Sequence, residues 1–163
     1  MKTLWFCGNK EKDLTTIAEM VGEGLITRNK SAEIIVHSEV NEILGRGLKD
    51  SKEDKTTFAD RLGFLGHLLH RNDIFALIVT PETLLSDRKT VRDNYKHYIQ
   101  VNLNSNDELT NIELKSSQSH TENAKTVIRY LISEKLIPEH AEEVYSKEEE
   151  EEIRRRLEEL GYV

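Results

Sequence analysis

Residues 3–18 read TLWFCGNKEKDLTTIA. Three apolar residues, Leu4, Trp5 and Phe6, lead through Cys7 to Gly8, and a helix-like stretch follows from Thr15. Strand, glycine turn and helix in that order is how a phosphate-binding loop begins, and a working loop reads G-x-x-x-x-G-K-[ST]. Counted from Gly8, the second glycine falls on Asp13, the lysine on Leu14 and the hydroxyl residue on Thr15. The frame is kept and the lysine is absent. Glu11 and Asp13 put carboxylates where a polyphosphate would sit, and carboxylates repel the phosphate that backbone N–H groups and a lysine attract. Gly8 alone marks only a turn after a strand, so the rest of the chain has to carry the reading.

The chain of 163 residues is long enough for one domain with a sizeable core. Hydrophobic residues make up 37% and charged residues 33%, which predicts a folded domain under a highly charged surface. The net charge of −7 argues against generic nucleic-acid binding. Cys7 is the only cysteine, so no intrachain disulfide is possible; this suits a reducing cytoplasm, and Cys7 reads as a small core residue. No apolar run approaches a membrane span and no signal peptide is visible, so the expected location is cytoplasmic, with no membrane partner.

Periodicity assigns the elements. Met1–Cys7 reads as a strand and Thr15–Thr27 as an amphipathic helix with Ile17, Met20, Val21 and Leu25 on one face. Glu33–His37 is a short β-branched strand, and Asn41–Asp50 is open between helix and loop. Ser51 opens a capping-box pattern and a helix to about Arg71, in which Gly63 and Gly66 would permit close packing on a sheet. Ile74–Thr80, continuously apolar, reads as the central parallel strand, ended by Pro81. A helix over Asp87–Tyr95, a strand over Tyr98–Leu103, a short edge strand over Ile112–Leu114 and a helix over Thr121–Lys135 complete the domain. Alternating strands and helices predict an α/β three-layer domain with a mostly parallel sheet over residues 1–138, with ligands beyond the carboxyl ends of the strands.

After Pro138 the pattern changes. Ser146 to Glu149 form a second capping box, and a charged helix runs over Glu148–Leu160 with Gly161 as its C-cap. Residues 139–163 are read as a helical extension. Its stripe of Ile153, Leu157 and Leu160 rests on the domain or docks another chain, so a protein partner or self-association through 146–163 is open.

Four segments carry a family resemblance. TLWFCGNKEKDLTTIA resembles T-L-W-F-T-G-L-S-G-A-G-K-S-T-I-A of the adenylylsulfate (APS) kinases. SKEDKTTFADRLGFLGHLL, IFALIVTPETLLSDRKTVRDN and YIQVNLNSNDEL resemble later segments of the same family, through about Pro138. The resemblance implies a P-loop-kinase fold, and an activity that phosphorylates the 3′-hydroxyl of APS with MgATP. It also shows what is altered. Leu14 stands for the lysine, and Glu11 and Asp13 for loop glycines. A D-G-D motif matches His37-Ser38-Glu39, and the substrate arginine falls near Glu42. N-I-R-R becomes Phe58-Ala59-Asp60-Arg61, and S-P-Y-R becomes Thr80-Pro81-Glu82-Thr83. The basic lid that follows the Tyr98–Leu103 strand in the family is reduced to Asn104–Ser119.

Phosphoryl transfer depends on positioning and charge stabilisation, and losing one preorganised charged contact costs on the order of 3 kcal/mol. With several altered together, the expectation is a catalytically inactive, degenerate member with a regulatory, scaffolding or partner-binding role, linked by family to sulfate activation, with no cofactor. The alternatives are an APS kinase or related nucleotide kinase with an atypical loop, using ATP and Mg²⁺, and a non-catalytic nucleotide or anion sensor. Gly8, Thr15 and Thr16 are the remnant loop; the threonines ligand Mg²⁺ or form an N-cap and first turn. Arg61, Arg88 and Arg92 hold a sulfate or phosphate, or form surface salt bridges. Glu39 binds a metal-bound water or is a solvated strand-end acid. His67 and His70, three apart on one helix, are a metal pair without an evident third ligand, or an exposed helix end.

Overall fold

The computed structural model describes residues 2–81, 85–140 and 147–161. Five strands, β1 (Thr3–Cys7), β2 (Ser31–Val36), β3 (Ile74–Thr80), β4 (Tyr98–Leu103) and β5 (Thr110–Leu114), form one sheet in the order β2-β3-β1-β4-β5. All pairings are parallel, with Thr3 opposite Ala76 and Tyr98 on its two sides. The helices are α1 (Glu11–Ile26), α2 (His37–Leu44), α3 (Lys52–Arg71), α4 (Leu85–Tyr95), α5 (His120–Ser133) and α6 (Lys147–Glu159). The expected α/β three-layer, parallel-sheet architecture is therefore present. The central strand is β1, not β3. Both runs are continuously apolar and both are covered on two faces, and such a run says that a strand is interior without saying which neighbours it has.

The period of two along β1 divides the core. Leu4 and Phe6 pack with Leu14, Ile17 and Val21 of α1 and Val127 and Leu131 of α5. Trp5 and Cys7 pack with Phe58, Ala59 and Leu62 of α3 and Val91 of α4. The α1/α5 layer is apolar apart from Asn123, whose buried amide is bonded to the Lys115 backbone. The α3/α4 layer also carries Gln100 and Asn102, buried at 0% and 1% exposure, whose amides are joined to each other, to the Trp5 carbonyl and to Thr110.

The capping box at Ser51 forms: its hydroxyl accepts from the Asp54 amide at 3.1 Å, and Asp54 in turn accepts from the Lys49 amide. The open segment resolves into α2 and a turn, so His37 and Glu39 lie on the first turn of a helix rather than at a strand end. The two glycines of α3 are close-approach positions. A Cβ on Gly66 would stand 2.8 Å from the Thr3 hydroxyl, and one on Gly63 would stand 2.7 Å from the Tyr95 ring. That ring is anchored through its hydroxyl to Asp60 at 3.0 Å. Gly63→Ala is therefore expected to destabilise by about 1–3 kcal/mol through overpacking, although alanine is the better helix former. A urea midpoint equal to or above that of the parent would refute this close fit.

The core continues past α5 to Ile137, and Arg28, just beyond the end of α1, donates to the carbonyls of Pro138 and Glu139 at 3.1 and 3.2 Å. Ser146, the start of the second capping box, lies outside the described residues, as does the side chain of Ile153. The described side chains of α6 are all exposed, with Leu157 at 38% and Leu160 at 70%. Among the described side chains of α6, Arg156 meets Glu152, Arg154 meets Glu158 and Arg155 meets Glu159. Among the described residues no helix is long and apolar enough to cross a membrane.

Candidate functional site

Beyond the carboxyl ends of β1 and β3 two features meet. The first is the segment framed by Gly8. Only Gly8, Asn9 and Lys10 separate β1 from α1, which begins at Glu11 rather than at Thr15. The Leu14 amide donates to the Lys10 carbonyl at 3.0 Å, so residues that would wrap a phosphate are in the first turn of the helix. Leu14 is fully buried in the α1/α5 core. Its side chain and Leu103 also cover Gly8, where a Cβ would stand 3.2 Å from that of Leu103. The Thr15 hydroxyl donates to the Glu11 carbonyl at 2.8 Å and the Thr16 hydroxyl to the Lys12 carbonyl at 3.1 Å. Neither threonine caps the helix; the N-cap position is Lys10, which makes no side-chain cap. Glu11 and Asp13 lie in the first turn, where carboxylates complement the positive end of the helix dipole. Asp13 also meets His120, the first residue of α5, at 3.0 Å.

The second feature is a cleft of about 750 Å³ between α2, α3 and the sheet. Trp5, Thr80 and Pro81 form its floor, and His37, Phe58 and Leu62 its apolar wall. Lys49, Asp50, Lys52, Asp54 and Lys55 line its rim, and Asp87 its inner end. The His37 ring lies against Phe58 with centroids 4.6 Å apart. Burial holds the His37 imidazole below its ordinary pKa, against a smaller upward pull from Glu11. Asp87, 4% exposed, accepts from Thr56 Oγ1 at 2.6 Å. Lys55 pairs with Asp50 at 3.0 Å, whereas Lys49 and Lys52 carry no ion pair among the described residues. Trp5 Nε1 is buried without a hydrogen-bond partner among them.

The three candidate arginines do not line this cleft. Arg61 donates to the carbonyls of Leu44 and Arg46 and so closes the carboxyl end of α2. Arg88 is 6% exposed and pairs with Asp107 at 2.8 Å beneath the β4–β5 connection. Arg92 is exposed and pairs with its neighbour Asp93. The three arginines lie in separate local contacts. The cations that do face the cleft are Lys49, Lys52 and Lys55, which sequence reasoning missed. Their signal was the i,i+3 pair Lys52/Lys55 opening α3. Glu39 is an exposed acid on the first turn of α2. Cys7 is 4% exposed and packs in the α3/α4 core. Glu82 and Thr83 of the S-P-Y-R match lie outside the described residues. Residues 104–109 run directly from β4 to β5. Among the described residues no group of three or more His, Cys, Asp or Glu is disposed to hold a metal ion.

This parallel sheet, with its short β1–α1 connection and a cleft at the carboxyl ends, defines a P-loop-kinase-like domain. The family model described as adenylylsulphate kinase matches residues 1–124, and the chain belongs to that family. Adenylyl-sulfate kinase from Picosynechococcus sp. is 30% identical over 103 residues, which cover 63% of this chain and 58% of that one. The probable adenylyl-sulfate kinase of Synechocystis sp. is 29% identical over the same shares. The chain thus spans less than two thirds of the length of these curated relatives. The Mycobacterium tuberculosis APS kinase solved with AMPPNP and APS superposes with a TM-score of 0.71 at 18% identity, over 80% of this chain and 97% of that one.

Proposed function

We propose that this chain is a non-catalytic member of the adenylylsulphate kinase family, with a regulatory, scaffolding or partner-binding role. The observation that carries the reading is the start of α1 at Glu11, with Leu14 buried in the core where the family motif has its lysine. The residues present do not suit a magnesium nucleotide. The threonine hydroxyls are spent on their own helix, and the helix N-terminus is served by Glu11 and Asp13. Lost positioning and lost charge stabilisation act on the same transition state, so the remaining contacts are insufficient for phosphoryl transfer. A link to sulfate activation follows from family membership alone.

The test is direct. With APS and millimolar MgATP, ADP release is expected to equal the protein-free background, and titration calorimetry with ATP or ADP, with and without Mg²⁺, is expected to show no heat of binding. APS-dependent ADP release that disappears in Thr15→Ala would overturn the reading in favour of an APS kinase that uses ATP and Mg²⁺ through an atypical loop.

A second reading, a non-catalytic nucleotide or anion sensor, is favoured by the cleft itself, with Lys49 and Lys52 at its rim and the Phe58/His37 wall within. Calorimetric binding of APS or PAPS without ADP release, weakened in the Lys49→Ala/Lys52→Ala double variant, would support it. A docking role for residues 146–163 is supported by the exposure of Leu157 and Leu160. Light scattering on the full chain and on a chain ending at residue 145 separates self-association through this helix from none.

A further inference from the structure

The histidine pair of α3 has a third member. His97, in the turn from α4 to β4, stacks on His70 with ring centroids 3.5 Å apart and planes 22° from parallel. His67 lies 6.5 Å from His70 and 5.7 Å from the Tyr95 ring, centroid to centroid. The three imidazoles come from two separate segments and meet at the amino-terminal edge of the sheet, the end opposite the cleft. The backbone fixes one side of the cluster: the Thr3 amide donates to the His97 carbonyl at 2.6 Å, and Gly66 of α3 packs directly on Thr3. The last turns of α3, the start of β1 and the α4–β4 turn are thus held together around the stacked rings.

We infer that His67, His70 and His97 form a proton-sensitive clamp that holds the carboxyl-terminal turns of α3 against the sheet at neutral pH and releases them when the imidazoles become charged. Two geometric facts carry this. Face-to-face rings at 3.5 Å suit neutral imidazoles and set two like charges against each other once both are protonated. The Nδ1 atom of His67 is buried with no hydrogen-bond partner among the described residues. A neutral ring tolerates this, whereas an imidazolium donates at both nitrogens and would leave a buried N–H unmet. The groups facing His97 point the same way. His67 and His70 come from α3, and Lys2 from the β1 side. Burial first, and then these positive groups, hold its imidazole below the ordinary histidine range. Asp60, two turns earlier on α3, is engaged by the Tyr95 hydroxyl.

The sign follows from linkage. The folded protein binds a proton at His97 less readily than the unfolded chain, so the stabilisation is present above about pH 6.5 and is lost as pH falls from there through the lower folded value. The experiment compares thermal midpoints of the parent and His97→Phe, which keeps a stacking ring and removes the charge, from pH 7.5 to 5.5. The parent midpoint is expected to fall at least twice as far as that of the variant. In the parent, amide exchange over residues 67–72, corrected for its intrinsic pH dependence, is expected to quicken on the order of tenfold between the same limits while β5 is unchanged. Equal falls in the two midpoints would overturn the inference. If His97→Phe does not fold, NMR titration of the parent imidazoles decides it: a His97 resonance that titrates at or above the ordinary histidine value overturns the clamp.

Discussion

Replacing Asp107 by alanine is expected to destabilise the domain by about 1–3 kcal/mol, the cost of removing a charged hydrogen-bond partner from a part-buried network. Arg88 enters the α3/α4 layer from the first turn of α4, with only 7% of its side chain exposed, and meets Asp107 Oδ2 at 2.8 Å. Asp107 does more than neutralise it. Its carboxylate accepts from the Leu109 amide at 2.9 Å and from Asn102 at 3.3 Å, and the Thr110 hydroxyl lies 3.3 Å from it. Alanine therefore removes one carboxylate contact from Arg88 and unties the β4–β5 connection in one step. Chemical denaturation measures the loss. A change below about 1 kcal/mol would place the pair among ordinary surface contacts and refute this account.

The same carboxylate predicts a pH dependence. Burial works against its charged form, but the hydrogen bonds from Arg88, the Leu109 amide and Asn102, with the charge of Arg88, more than offset burial and hold it below the usual carboxylate range. A depressed acid stabilises above its unfolded value, and that stabilisation is lost as pH falls through the folded one. The deficit of Asp107→Asn relative to the parent is thus expected to be full at pH 6 and to shrink below about pH 4.

The network was illegible in the sequence for a definable reason. Arg88 and Asp107 were visible as residues, but their meeting depends on β4 lying beside β1 and on the following turn folding inward. Spacing along the chain does not encode that. What local pattern does encode was readable: the apolar runs of β1 and β3, the inward face of α5, the Ser51 cap, and the two glycines that bring α3 onto Thr3 and Tyr95. The strand order was beyond such pattern, since β1 and β3 carry the same signal of two-sided burial. The arginines stayed open between an anion site and local salt bridges because both use the same side chain. Arg61 closes a helix end seventeen residues away in sequence. His97 was missed because only the α4–β4 turn brings it to His70.

The misplaced start of α1 is the more instructive difference, and it yields the other large effect. Aligned on a phosphate loop, Gly8 implies a wide turn and a helix from Thr15. The structure starts the helix at Glu11, because nothing in Glu11-Lys12-Asp13-Leu14 needs a loop. The acids suit a first turn, Asp13 is fastened to His120, and Leu14 gains a core position between Gly8 and the α1/α5 layer. Restoring the motif lysine is therefore not a local repair. Leu14→Lys removes a fully buried leucine, worth about 2–5 kcal/mol by comparison with leucine truncations, and forces a charge either into the apolar layer or out through an unwound first turn. The expected result is a loss of at least about 3 kcal/mol with no gain of ATP binding. Leu14→Ala should lose about 2–5 kcal/mol without the charge. The triple variant with Glu11→Gly and Asp13→Gly should be less stable still, because glycine weakens a helix interior by about 1 kcal/mol per residue. A Leu14→Lys protein as stable as the parent, binding ATP by calorimetry, would show that residues 11–14 open into a phosphate loop at little cost, and the non-catalytic reading would lose its main support.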